Sequence, residues 1–158
     1  VEAKRSSDSV TVMNEIVLPS DSNALGTAFG GRVMQWIDVC GAMAAQRHCR
    51  RRVVTAAIDS LHFRAPIRIG EIAAMRAEVT ATFTHSLEVA IEVFGEDPVS
   101  GQKRVCCSAF LTFTALDEQF RPTAVPPLLL ETDAERARAS AAAERRAQRL
   151  AMRQAWSP

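Results

Sequence analysis

The segment GGRVMQWIDVCGAMAAQR, residues 30–47, limits what this chain can fold into more than any other stretch. Its small and unbranched residues predict a helix from about 31 to 48, with Ala, Val, Met, Trp and Ile around nearly its whole circumference. Such a helix has to be enclosed on most sides. It is also the only well-formed apolar helix in the sequence, so a sheet must supply the enclosure. One charge, Asp38, interrupts it. A buried, unpaired carboxylate costs several kcal/mol, a large share of a domain's stability, so Asp38 is either paired or kept for chemistry.

The rest of the chain reads as strands. SVTVMNEIVL (9–18) places Val10, Val12, Ile16 and Leu18 on one side with a period of two. PSDSNALGTAFGG (19–31) is turn chemistry throughout. RVVTAAIDSLHF (52–63) returns to a strand. Beyond Pro66 and Gly70, two strands at about 71–83 and 86–94 meet across Thr84 and His85 as an antiparallel hairpin. After the turn GEDPVSG comes a long strand at 103–116, with Val105, Cys107, Ala109, Leu111 and Phe113 on one face. The order of strand, helix and four strands predicts an α+β domain over residues 1–130, its sheet curled around one central helix. Asp38 is then expected deep inside a protomer or between protomers.

Residues 131–158 change abruptly to Ala, Arg and Glu. They predict a helical extension that frays near Trp156, and the lack of regular i, i+4 ion pairs makes its charged face a solvated one. A basic helix near an anionic ligand or a neighbouring subunit is the other reading.

The 158 residues carry 19 basic and 18 acidic side chains, a net charge of +1, so no global field draws the protein to nucleic acid or membrane. No apolar run reaches the ~18–20 residues of a membrane-spanning helix, and the start of the sequence has no signal-peptide core. We expect a cytoplasmic protein. Cys40, Cys49, Cys106 and Cys107 lack metal-ligand spacing and read as reduced, buried thiols.

Three features carry chemistry. Asp38 lies about two turns into the helix, too far for the helix dipole to stabilise it. Gly30 and Gly31 leave the backbone N–H groups of the helix start open to a ligand, where they can polarise a carbonyl oxygen; paired glycines also simply let a chain turn tightly into a helix. Asn23 can position water or a carbonyl through its amide, or merely hold its turn. His48 reads as a surface histidine at the helix C-terminus, and His62 and His85 lack a nucleophile at motif spacing. Asp59 is expected to pair structurally, and Ser108 lacks a nucleophile elbow. Arg64, Arg68, Lys103 and Arg104, near strand ends, are candidate phosphate contacts or ordinary surface charge.

LPSDSNALGTAFGGRVMQWIDVCGAMAA followed by VVTAAIDSLHFRAPIRIGE resembles the hotdog-fold acyl-CoA thioesterases, specifically short bacterial acyl-CoA hydrolases related to the brain-type cytosolic enzyme. The resemblance runs from about residue 9 to 127 and rests on an Asn-x-x-Gly loop, a Gly-Gly helix start and a helix Asp in the family's order. It implies an antiparallel sheet around one long helix, assembled as a homodimer and as a hexameric trimer of dimers. The implied reaction is hydrolysis of acyl-CoA to free acid and CoA, with no cofactor and no metal. It assigns Asp38 as general base or nucleophile, Asn23 to positioning and Gly30 and Gly31 to the oxyanion, with Asn and Asp from different subunits. Thr55 and Ser86 line the pantetheine channel by the same analogy. A hotdog enoyl-thioester hydratase and a non-catalytic acyl-CoA-binding regulator are the alternatives.

Overall fold

The computed structural model describes residues 2–157. In chain order it contains β1 (Lys4–Arg5), β2 (Thr11–Ile16), α1 (Gly30–Cys49), β3 (Arg52–Phe63), β4 (Ile72–Thr82), β5 (Ser86–Glu96), β6 (Lys103–Leu116), β7 (Leu128–Leu129) and α2 (Asp133–Trp156). Five strands make one antiparallel sheet in the order β2-β4-β5-β6-β3, while β1 and β7 pair in parallel apart from it.

Helix α1 lies along one face of that sheet, as its all-round apolar surface requires. Val33, Ile37, Cys40 and Ala44 are buried in a common core with Met75, Ile91, Leu111 and Phe113. The close approach depends on Gly41, where a Cβ would come within 3.1 Å of Ile91 Cδ1 and of the Phe113 ring. The predicted β4–β5 hairpin forms, and Leu87, Val89 and Ile91 pair with Phe113, Leu111 and Ala109 of β6, all of them buried.

The structure decides one open point and corrects two expectations. On β2 Val12 and Ile16, with Leu18 just beyond the strand, stay exposed, while Thr11 and Met13 face the core opposite Ala77 and Met75. Each side of this edge strand carries apolar residues, so periodicity alone did not decide which side packs inward. His48 is fully buried, because the last turn of α1 is covered: Lys4 Nζ donates to its carbonyl at 2.7 Å and its Nε2 lies 2.8 Å from Pro126 O.

A further correction concerns the charged face of α2, three of whose arginines are engaged by the sheet although most of the helix is exposed. It lies on the sheet face opposite α1 and is helical through Trp156. Arg145 donates twice to Glu88, at 3.0 and 2.9 Å, with its guanidinium 3.6 Å from the centre of the Phe110 ring. Arg149 reaches Asp59 at 2.7 Å and Arg138 reaches Glu78 at 3.4 Å. These partners sit on strands far away in sequence, so a search at helical spacing within α2 could not find them. Glu88, in the outward register of β5, is only 1% exposed beneath the helix. Asp59 pairs structurally, as expected.

Candidate active site

The site begins in the loop that delivers the chain to α1. Asn23 Oδ1 accepts from the backbone N–H of Leu25 at 2.9 Å and of Thr27 at 3.3 Å, and its Nδ2 donates to Thr27 Oγ1 at 3.0 Å. Gly26 completes this turn with a φ of 76°. The loop is tied down at both ends: Ala28 N–H donates to Ile67 O at 2.7 Å, Phe29 N–H to Asp21 O at 2.8 Å, and Arg32 pairs with Asp21 at 3.2 Å. Asn23 is thus oriented by its own turn, yet exposed.

Phe29 is the N-cap residue of α1 and offers no side-chain cap. The first free N–H groups of the helix, those of Gly30 and Gly31, have no protein acceptor among the described residues. At Gly31 a Cβ would meet Phe29 Cε1 at 2.7 Å, so a side chain there would push the exposed Phe29 ring aside. The Phe63 ring, at the end of β3, passes 3.7 Å from the Cβ position of Gly30. Two partly exposed phenyl rings therefore flank a pair of open amides at the positive end of a 20-residue helix.

Asp38 is half-buried, not deep, and it is paired. Thr55 on β3 donates through Oγ1 to Asp38 Oδ1 at 2.5 Å, a short charge-assisted bond that fixes one carboxylate oxygen and leaves the other open. At 1.5 Å per residue Asp38 stands about 10 Å along the helix from Gly31. Near it Met34 and Val39 of α1 and, on the same face of β3 as the buried Leu111, Ile58 are exposed apolar side chains. Within one chain the Asp38 carboxylate, the Asn23 amide and the glycine amides make no hydrogen bond to one another among the described residues.

The candidate phosphate contacts divide. Lys103 pairs with Glu96 at 3.5 Å, and Arg104 is held by Glu71 at 2.7 and 2.8 Å and by Pro66 O at 2.5 Å. The Arg104 guanidinium holds the Glu71 carboxyl down at about 2. The Arg68 N–H also donates to Glu71. Arg64 is exposed, makes no side-chain bond among the described residues, and borders a cavity of about 320 Å³ beside Gly30. Ser86 pairs with Thr114 while its neighbour Leu87 turns into the core, so its side chain lies on the sheet face away from Asp38. Sequence reading missed Phe29, Phe63 and the cavity; no spacing signal marks them, because they converge from separate segments.

This geometry can now be set beside known proteins. A profile of the thioesterase superfamily matches residues 25–102. An uncharacterised acyl-CoA thioester hydrolase of Bacillus subtilis, YkhA, is 37% identical over 134 residues, covering 85% of this chain and 78% of that one. The chain belongs to the thioesterase superfamily. It spans between 19% and 33% of the longer mammalian thioesterases that it also matches. An apo hexameric acyl-CoA thioesterase superposes with a TM-score of 0.92 at 33% identity, over 99% of this superfamily member and 100% of that chain. The Staphylococcus aureus acyl-CoA hydrolase, solved with butyryl-CoA, CoA and CoA disulfide, superposes with a TM-score of 0.88 at 35% identity, over 96% and 92% of the chains. Alanine variants of that enzyme at an aspartate, an asparagine and a threonine have also been solved. The sheet around one helix is the hotdog fold expected from the sequence.

Proposed function

We propose that this protein hydrolyses acyl-CoA thioesters to free acid and CoA, at sites shared between two copies of the chain. The observation that carries the reading is the Thr55–Asp38 bond on the same helix that opens with two unengaged glycine amides. Asn23, Asp38 and Thr55 stand 15 and 17 residues apart. The three residues varied in the Staphylococcus aureus enzyme have the same types at the same two spacings, which supports the assignment.

The chemistry follows from these groups. The thioester carbonyl oxygen accepts from the Gly30 and Gly31 amides, which stabilise the negative charge it develops. Asp38, oriented by Thr55, removes a proton from water as the water attacks the carbonyl carbon. The C–S bond then breaks and the CoA thiolate leaves, taking up a proton. Asn23 of one copy holds the water or carbonyl in line with Asp38 of the other. The separation along α1 and the exposed apolar surface around Asp38 both support a second copy, joined as a homodimer and, like the hexameric neighbour, as a trimer of dimers. Protein groups and water carry every step, so the mechanism asks for no cofactor. Arg64, the unpaired guanidinium at the cavity mouth, is the residue we assign to CoA phosphate. No helix among the described residues is long and apolar enough to cross a membrane, and all four cysteines are free thiols, which supports work in the cytoplasm.

The test is thiol release from acyl-CoAs of two to sixteen carbons, with the acid product identified by mass spectrometry. Turnover in the wild type, reduced at least ~10²-fold in a folded Asp38→Asn variant, is the expected result. Tight CoA-ester binding without thiol release would make the protein a binding module. Addition of water to an enoyl-CoA with the thioester intact would make it a hydratase.

A further inference from the structure

The turn that orients Asn23 leans on a second irregular segment, residues 64–71. Thr27 and Arg68 face each other in an isolated antiparallel bridge, across which Ala28 N–H donates to Ile67 O at 2.7 Å and Ile69 N–H to Gly26 O at 3.1 Å. Thr27 is also the residue that takes the Asn23 side chain, and its carbonyl accepts from the Asn23 N–H at 2.9 Å. Where residues 66–69 sit therefore decides where the Asn23 amide points.

One ion pair gathers that segment. Glu71 Oε1 accepts from the Arg68 N–H at 2.8 Å, closing the turn, and the two Glu71 oxygens accept from Arg104 at 2.7 and 2.8 Å. Arg104 Nη2 also donates to Pro66 O at 2.5 Å, so a single guanidinium holds the segment at two points. Arg104 stands on β6 opposite Gly95 of β5, where a Cβ would come within 3.1 Å of the Arg104 Cζ; the missing side chain leaves the guanidinium its place against the sheet. The Glu71 side chain is only 12% exposed and its carboxyl is held down at about 2, so the pair stays charged at neutral pH and well below it. A CoA phosphate would have to displace a bidentate carboxylate to reach Arg104.

We propose that Glu71 and Arg104 are positioning residues for Asn23: anchored on β6, they clamp residues 66–71 against the Asn23 turn and keep its amide where the reaction needs it. The use made of Asn23 rests on the acyl-CoA hydrolase reading, whereas the clamp does not.

Glu71→Gln keeps the shape and removes the charge, and Arg104→Lys keeps the charge and removes the planar fork. Misplacing a reacting group by a fraction of an ångström to one ångström lowers kcat by roughly tenfold to a hundredfold, which is the loss expected in Glu71→Gln with KM little changed. In both variants the fold-loss should be the same on butyryl-CoA as on butyryl-pantetheine, which has no phosphate. Adding Glu71→Gln to Asn23→Ala should cost little more than Asn23→Ala alone, because both act through one group. Hydrogen exchange reads the clamp without turnover. The amides of Asn23, Ala28 and Ile69 should exchange about tenfold faster or more in Glu71→Gln, with those of α1 and β5 unchanged. Arg104→Lys carries the same measurements if Glu71→Gln fails to fold. A loss confined to butyryl-CoA would make Arg104 a phosphate contact and overturn the proposal. So would full additivity with Asn23→Ala, unchanged exchange at the three amides, or faster exchange spread evenly over α1 and β5. A wild type that releases no thiol, with exchange at the three amides still faster in Glu71→Gln, would sink the hydrolase reading and leave the clamp standing.

Discussion

Thr55→Val replaces a hydroxyl by a methyl of nearly the same shape, so its effect isolates one hydrogen bond. That bond, 2.5 Å from Thr55 Oγ1 to Asp38 Oδ1, joins a neutral donor to a carboxylate. Bonds to charged groups contribute about 1.5–3 kcal/mol, against about 0.5–1.5 kcal/mol between neutral partners. Asp38 is half-buried, and its second oxygen has no protein donor among the described residues, so Thr55 is the group that orients it. If the orientation matters fully in the transition state, losing it lowers kcat roughly tenfold to a hundredfold. KM should change little, because Thr55 holds the base and not the substrate. The assay is thiol release under saturating acyl-CoA, with thermal denaturation as a control for folding. Thr55→Ser, which keeps the hydroxyl, should recover most of the loss. A Thr55→Val enzyme within threefold of wild type, or a Thr55→Ser enzyme as impaired as Thr55→Val, would refute the positioning role.

Two further predictions concern stability. Arg145→Met leaves Glu88 buried with only Thr80 as donor, at 2.6 Å. Breaking such a pair costs about 3–5 kcal/mol. At ~2–4 °C per kcal/mol for a domain of this size, that is a fall of roughly 6–20 °C in Tm, and a fall under 2 °C would return α2 to the status of a solvated helix. His48 supplies the other. Burial pushes its imidazole below the usual value, outweighing the hydrogen bond to Pro126 O that acts the other way, with Lys4 lowering and Asp8 raising it. The unfolded chain therefore binds the proton more readily. Stability from His48 is complete above about pH 6.5 and is lost as pH falls below it towards the folded-state value. Urea midpoints of wild type and His48→Gln at pH 7.5 and 5.5 check this, the variant losing less on acidification; equal losses would remove His48 from the acid response.

What was legible in the sequence was what local pattern controls. The apolar circumference of residues 31–48 demanded a wrapped helix, and α1 is one residue longer at each end. Period-two alternation in 86–94 and 103–116 put Leu87, Val89 and Phe113 on the buried face. The pattern failed where burial depends on a distant element. Glu88 looks outward-facing until α2 covers it, and the α2 arginines look solvated until Glu78, Glu88 and Asp59 arrive from three strands. His48 is covered from Lys4 and Pro126, 44 and 78 residues away in sequence. On β2 the exposed Val12 and Ile16 are apolar residues that one chain leaves uncovered. At the site, Asp38 announced itself as a charge in an apolar helix, and the glycine pair as an open helix start. The resemblance placed Thr55 in a substrate channel; the fold gives it a bond to Asp38, across a bulged strand whose register no spacing rule supplies. Lys103 and Arg104 were read as cations near strand ends, and nothing local revealed that Glu96 and Glu71 hold them.

The central claim is that Asn23 of one copy works with Asp38 of another, and subunit mixing tests it most directly. Asn23→Ala and Asp38→Asn proteins, each confirmed folded and assembled, are dissociated, mixed and reassembled, and heterodimers are verified by native mass spectrometry. One of the two sites in each heterodimer then contains both native residues, while the other lacks both. Thiol release should rise well above that of either parent, approaching half the wild-type rate per heterodimer. Verified heterodimers no more active than the parents would contradict a shared site and confine the chemistry to a single chain.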